Sequence, residues 1–93
     1  MKVLGLEVIE EFKEEHANSR KPLDRWVKAV EGCSAGNFVE LKQTFPSADQ
    51  VKQFTVFDVG GNKFRVISGV SFAVQTLLVS QVLTHNEYDK WKP

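Results

Sequence analysis

The stretch that decides the fold is FTVFDVGGNKFRVI, residues 54–67. On both sides of its centre, apolar and polar residues alternate with a period of two, which is the side-chain period of a β-strand. The central Gly60, Gly61 and Asn62 supply the positive backbone angles that a tight hairpin needs. The stretch therefore predicts two antiparallel strands joined by a short turn.

A second hairpin is predicted directly after the first. Residues 66–72 and 77–84 are both strand-like, and the short segment 73–76 separates them. The run 66–84 is uncharged, but it contains many Ser, Thr, Gln and Gly residues, and β-branched residues dominate the rest. That composition favours strands over a membrane span, so we expect no association with a membrane.

The residues before the hairpins show helical spacing. Leu6, Ile9 and Phe12 form one apolar stripe opposite five glutamates, and His16 ends this first helix, where an imidazole suits the helix dipole. Asn18 or Ser19 is expected to cap a second helix that buries Leu23, Trp26, Val27 and Val30 and ends at Gly32. Phe38, Leu41 and Phe45 predict a third helix, followed by a connecting turn over residues 46–49.

This order of elements predicts an α+β fold with N-terminal helices packed on one face of a small antiparallel β-sheet. Residues 1–93 are expected to form a single domain, because a chain of this length supports one core and not two. The tail after the last strand is predicted to form a short helical turn capped by Thr84 or Asn86.

Charge and cysteine content narrow the function classes. The chain has 12 Lys+Arg and 12 Asp+Glu, so its formal net charge is zero, and it lacks the cationic excess of proteins that grip nucleic acid by its phosphates. Its one cysteine excludes an intramolecular disulfide and favours a reducing compartment. The N-terminal residues lack the pattern of a signal peptide, so we expect a cytoplasmic protein.

Several kinds of site are disfavoured by the residues present. Two isolated histidines and one cysteine cannot build a structural zinc site, and no carboxylates have the spacing of a calcium loop. The Gly60-Gly61-Asn62 turn leads into a strand, whereas phosphate-binding glycine loops lead into a helix. We therefore expect neither a metal nor another cofactor.

Four polar residues are predicted to meet at one end of the sheet. Lys63 and Arg65 follow the hairpin turn, and His85 and Tyr88 follow the last strand. A histidine exchanges protons near neutral pH, an arginine stabilises phosphorane charge, and a tyrosine stacks on a base or donates a proton. This set suits metal-free RNA cleavage. The alternative is that the charges are merely solvated and that His85 caps the last helical turn.

Three separated motifs carry a family resemblance: LKQTFPSAD at 41–49, VFDVGGNKFRVI at 56–67 and VLTHNEYD at 82–89. In order and spacing they closely resemble the HigB family of bacterial toxins. The resemblance implies a RelE-like toxin fold and ribosome-dependent endonucleolytic cleavage of messenger RNA. It also implies a HigA-like helix-turn-helix antitoxin that neutralises the toxin, with operator DNA contacted only through the antitoxin complex.

Carried over by position, the resemblance assigns site residues. The catalytic candidates are Arg65, His85, Tyr88 and Lys63, with the general base left open between His85 and Lys63. Lys42 and Lys63 match the family in the same way and are RNA-binding candidates, to which we add Asn62 of the turn and Lys90 of the tail; for Lys42 the alternative is a solvated helix lysine.

One position departs from the family pattern. HigB-like sequences typically carry an arginine where this chain has Ser80. Losing one charge-assisted contact to the transition state costs about 2–4 kcal/mol, so the resemblance implies an endoribonuclease with weakened activity. The alternative is an inactive HigB-like module that acts by binding the antitoxin or the ribosome.

Overall fold

The computed structural model describes all residues, 1–93, as one α+β unit, which confirms the predicted fold class. The elements in chain order are β1 (Lys2–Leu4), α1 (Leu6–Glu15), a 3-10 turn (Ala17–Ser19), α2 (Arg20–Glu31), α3 (Phe38–Thr44), β2 (Asp49–Val51), β3 (Phe54–Val59), β4 (Phe64–Ser71), β5 (Thr76–Thr84) and α4 (His85–Lys90). No helix combines the length and the apolar character needed to cross a membrane.

The five strands form one mixed sheet in the order β1-β5-β4-β3-β2. The predicted strands β3 to β5 pair antiparallel, as expected; β2 also pairs antiparallel with β3, and β1 pairs parallel to β5. Two short edge strands were not predicted: β1, and β2, which starts at Asp49 where the sequence indicated only a turn. Each has three residues, and β1 pairs with residues 76–78, so neither leaves a local signal in the sequence.

The predicted hairpin turn is confirmed. Gly60, Gly61 and Asn62 all have positive φ, at 71°, 63° and 76°. The turn places Val59 opposite Phe64 and Asp58 opposite Arg65. Strand β5 carries a β-bulge, because Ile67 pairs with Gln81 and Ser68 with Val79, which leaves Ser80 as the extra residue.

The main core lies between the N-terminal helices and one face of the sheet. The helices contribute Ile9 and Phe12 of α1, Leu23, Trp26 and Val30 of α2, and Leu41 of α3, and the sheet contributes Phe57, Val59, Phe64, Val66, Leu77, Val79 and Val82. Most of the predicted apolar positions are therefore buried, but Leu6 is exposed and Val27 is only partly buried. The glutamates of α1 are exposed. Lys13 forms ion pairs with Glu10 and Asp24 at 2.7 Å each. The hydrogen bond to Asp24, and to a smaller extent that to Glu10, raises the pKa of Lys13.

Of the two predicted helix caps, the cap of α2 is wrong and the cap of α4 is confirmed. Ser19 precedes α2, but its hydroxyl donates to the carbonyl of His16 at 2.6 Å and does not cap the helix. Thr84 caps α4 in a capping box: its hydroxyl accepts from the Glu87 amide while the Glu87 carboxylate accepts from the Thr84 amide. Asn37 caps α3 by accepting from the Glu40 amide at 2.9 Å.

Two glycines with positive φ provide a test of the packing. A Cβ at Gly5 would lie 2.5 Å from the Val79 carbonyl oxygen, whereas a Cβ at Gly61 would meet no atom within 4 Å. We expect Gly61→Ala to lower the free energy of unfolding by about 1 kcal/mol, the cost of the left-handed backbone, and Gly5→Ala to lower it by about 3 kcal/mol or more. Urea unfolding of both variants measures this, and equal losses would contradict the β1–α1 packing described here.

Candidate active site

The end of the sheet beside the hairpin turn holds one connected polar cluster. We call it the Arg65 cluster; its members are Asp58, Asn62, Arg65, His85 and Tyr88. Strand β3 supplies Asp58, the turn supplies Asn62, β4 supplies Arg65, and α4 supplies His85 and Tyr88. Because Phe64 and Val66 point into the main core, Arg65 between them points to the opposite face of the sheet. The cluster therefore lies on the face that α1 and α2 do not cover.

The guanidinium of Arg65 is the centre of the cluster. Its side chain is only 8% exposed, and its Nε forms an ion pair with Asp58 Oδ1 at 2.7 Å. Nη1 donates to the carbonyls of Asn62 (3.1 Å) and Phe64 (3.3 Å), and Nη2 donates to Asn62 Oδ1. The remaining Nη2 donor faces His85 Nδ1 at 3.5 Å, the outer limit of a hydrogen bond. Every N–H of the guanidinium thus has an acceptor within the chain.

Contacts with Lys63 and Arg65, which follow the hairpin turn, set the position of His85. Its backbone amide donates to the Lys63 carbonyl at 2.9 Å, and its ring is half exposed. Arginine only donates, so Nδ1 is the acceptor toward Arg65 and a neutral imidazole carries its proton on Nε2. That Nε2 lies 3.6 Å from Asp89 Oδ2, one helical turn along α4. In the neutral ring Nε2 therefore carries the proton beside Asp89, and the basic lone pair on Nδ1 faces Arg65.

Two planar groups already lie against the ring of Tyr88. The Arg65 guanidinium carbon is 5.2 Å from the ring centroid, and the Trp91 ring stacks on it with a centroid distance of 5.7 Å. Trp91 in turn meets Phe54 edge-on at 5.6 Å. Little of the Tyr88 ring is therefore free for the predicted stacking on a base, whereas its hydroxyl remains able to donate a proton.

The lysines named from the sequence lie around the cluster and do not join it directly. Lys63 contributes its carbonyl to His85, and its side chain is exposed beside the turn. Lys42 lines a groove of about 380 Å³ together with Asp58, Arg65 and Tyr88, while its Nζ sits 5.9 Å from the Phe38 ring centroid. Lys90 is exposed on the last turn of α4. None of the three has an ion-pair partner.

Three further residues with acidic or aromatic side chains contact the site residues, and the sequence analysis assigned them no role. They are Asp58, which pairs with Arg65, Asp89, which lies one turn beyond His85, and Trp91, which supports Tyr88. A signal for Asp58 was present, because counting outward from the turn places positions 58 and 65 opposite each other. Asn62 serves the cluster by holding Arg65 with both its carbonyl and its side chain.

Ser80 lies outside the Arg65 cluster. It is exposed at the bulge of β5 and lines a groove of about 240 Å³ with Glu11, Phe12 and Glu15 of α1. Neither groove that contains Arg65 or His85 includes it. An arginine at this position would therefore have two carboxylates as near neighbours.

The arrangement can donate and accept protons and can stabilise negative charge, which are the functions that acid–base chemistry on a phosphodiester requires. No three His, Cys, Asp or Glu side chains converge closely enough to hold a metal ion. Within and around the Arg65 cluster, the groups with these properties are His85, Arg65, Tyr88 and the nearby lysines.

Comparison with known proteins identifies relatives of the chain. Residues 19–91 match the family described as HigB toxin, the RelE-like toxic component of a toxin-antitoxin system. The chain is similar to the mRNA interferase toxin HigB of Escherichia coli K12, with 46% identity over 52 residues, covering 53% of this chain and 50% of that protein. It is also similar to the mRNA interferase HigB of Escherichia coli O6:H1 (strain CFT073), with 28% identity over 93 residues, covering 97% of this chain and 90% of that protein.

The alignment with the K12 relative spans half the length of that protein. The family match, in contrast, covers all elements from the start of α2 to the end of α4 and includes the whole Arg65 cluster. This chain therefore belongs to the HigB family of RelE-like toxins.

Proposed function

We propose that this chain is the toxin of a toxin-antitoxin pair and acts as an endoribonuclease that cuts messenger RNA. The observation that carries the proposal is the contact of Arg65 with both His85 and Tyr88 at one end of the sheet. These are the residue types that metal-independent RNA cleavage needs, in a chain whose relatives are named mRNA interferases.

The proposed reaction is an internal transesterification. A base removes the ribose 2′-proton, the 2′-oxygen attacks the adjacent phosphorus, and the bond to the 5′-oxygen breaks as that oxygen takes a proton. The products are a 2′,3′-cyclic phosphate and a free 5′-hydroxyl. Either His85 or Lys63 acts as the base. Because Nδ1 accepts from Arg65, His85 can take up a proton there once that Arg65 donor moves to the phosphate, and the Tyr88 hydroxyl is the further proton donor.

Arg65 stabilises the charge that develops on the phosphate. Most of its donors are held by short bonds to Asp58 and Asn62, but the Nη2 donor that faces His85 has the longest bond, at 3.5 Å. Of the five donors, this one loses the weakest hydrogen bond when it moves to a phosphate oxygen. The phosphate would then lie between Arg65 and His85, within reach of both.

Binding of the RNA backbone is assigned to Lys42, Lys63 and Lys90, with Asn62 acting through Arg65. Three exposed lysines give little affinity for free RNA at physiological salt. The proposal therefore includes the ribosome, which would present the message to the site, and places the protein in the cytoplasm. A HigA-like helix-turn-helix antitoxin would neutralise the toxin, and the complex would contact operator DNA through the antitoxin.

A second candidate function is a HigB-like module that binds the antitoxin or the ribosome without cutting RNA. Two observations favour it: every donor of Arg65 has an acceptor within the chain, and Ser80 stands where the family typically has an arginine. The two candidates differ in whether induction of the chain shortens messages.

The first prediction concerns the two central residues. We expect Arg65→Ala and His85→Ala each to lower the cleavage rate at least about 100-fold, because each removes a charge-stabilising or proton-transferring group. Both variants should relieve the growth arrest that follows induction. Mapping of new 5′-ends in cellular RNA after induction measures the cleavage directly.

The matched control is His16→Ala, which removes the other histidine. His16 stacks on Phe12 at 4.2 Å and has no contact with Arg65. This variant should still cut, and thermal melting of all three proteins checks that they fold. Full cleavage by well-folded Arg65→Ala and His85→Ala variants would contradict the proposed function.

The second prediction separates a weakened enzyme from a binding module. Ser80→Arg should raise the cleavage rate of a weakened toxin by about 10-fold, since one additional charged donor contributes about that much or more. Glu11 and Glu15 line the same groove and compete for the new guanidinium, so adding Glu11→Gln and Glu15→Gln should raise the gain further. If neither variant produces new 5′-ends where the parent chain produces none, the chain is a binding module.

A further inference from the structure

We propose that Asp58 is a positioning residue: it fixes the Arg65 guanidinium so that a single donor, on Nη2, is left facing His85 for the phosphate. The inference rests on the proposed RNA cleavage, because it assigns Asp58 a role in that reaction. Asp58 itself makes no hydrogen bond or ion pair with the other groups proposed to react, which are His85, Lys63 and Tyr88.

First, burial of Arg65 requires a partner for each of its donors. Its side chain is 8% exposed, so each of its N–H groups needs an acceptor within the chain. Asp58 is the only carboxylate within ion-pair distance of it, at 2.7 Å from Nε. Asp58 has no other ion-pair partner, and it is one-third exposed. The pair is therefore exclusive, and Asp58 supplies the only acceptor that Nε has.

The second step is the direction in which the guanidinium is fixed. The guanidinium is planar, so fixing Nε at Asp58 and Nη1 at the Asn62 carbonyl determines where Nη2 points. With these two contacts made, Nη2 reaches Asn62 Oδ1 on one side and His85 Nδ1 on the other. Without Asp58, the side chain could turn about its bonds and point Nη2 away from His85.

The third step is that an uncharged acceptor suffices for this task. Nε needs one oxygen at hydrogen-bond distance, and an asparagine side chain in the same rotamer provides one. Asp58→Asn thus keeps the geometry and removes the charge, whereas Asp58→Ala removes both. A positioning role predicts that the two variants behave differently.

The experiment compares cleavage of a defined messenger RNA on purified translating ribosomes by the parent chain and three variants. Asp58→Ala should lower kcat by about 10- to 100-fold, with KM changed less than about twofold, because misplacing a catalytic group affects the transition state most. Asp58→Asn should stay within about threefold of the parent kcat. The matched control is Asp49→Ala, since Asp49 lines the same groove but makes no ion pair with Arg65, and it should cleave like the parent.

A second readout does not depend on cleavage. The side-chain Nε–H of Arg65 should give a separate NMR signal that exchanges slowly with water in the parent chain, in Asp58→Asn and in Asp49→Ala. In Asp58→Ala the exchange should be at least about 10-fold faster, because the acceptor is gone. If Asp58→Ala does not fold by thermal melting, Asp58→Ser replaces it, since a serine hydroxyl is too short to reach Nε.

The outcomes separate the two proposals. Parent-like cleavage by Asp58→Ala, or equal losses in Asp58→Ala and Asp58→Asn, would overturn the positioning role. If no protein cleaves, the parent included, the proposed function fails and the exchange measurement decides whether Asp58 holds Arg65. Equal exchange of the Arg65 Nε–H in all the proteins would overturn the positioning role whatever the cleavage result.

Discussion

The left-handed turn at Gly60, Gly61 and Asn62 is the constraint on which the candidate site depends. It fixes the register of β3 and β4, and the register sets Asp58 opposite Arg65. The same turn directs the carbonyl and the side chain of Asn62 at the guanidinium. A buried arginine is tolerated only where its charge and donors are satisfied, so the turn and the arginine stabilise each other.

His85 and Tyr88, the site residues that α4 supplies, are also connected to this turn. The amide of His85 donates to the Lys63 carbonyl, and the Thr84 capping box starts α4 at that residue. Helix α4 then lies on the sheet face opposite the main core, where Tyr88 lies against Arg65 and Trp91 against Phe54. His85 thus reaches the cluster through backbone hydrogen bonds and a helix cap, and this gives the imidazole a fixed position despite its exposure.

Local signals in the sequence predicted most of this architecture. The hairpin glycines, the apolar stripes of α1 and α2 and the caps Asn37 and Thr84 act within a few residues, so they can be recognised without a structure. Strand β1 could not be predicted, since three residues pair with a strand more than 70 positions away. The meeting of Arg65 with His85 and Tyr88 was predicted, and counting outward from the turn pairs Asp58 with Arg65, whereas the role of Trp91 depends on a side-chain direction that appears only in the fold.

The distribution of charge connects the fold to the proposed function. Arg65 is neutralised by Asp58, and His85 lies near Asp89, so the cluster presents little net positive charge to an approaching RNA. The glutamates of α1 cover another surface and repel phosphates there. A site of this kind can be selective in its chemistry and weak in its binding, because proton transfer needs a few fixed groups while affinity for RNA needs many cations. An enzyme built this way gains most from a substrate that is already held in place, and a message threaded through the ribosome is such a substrate.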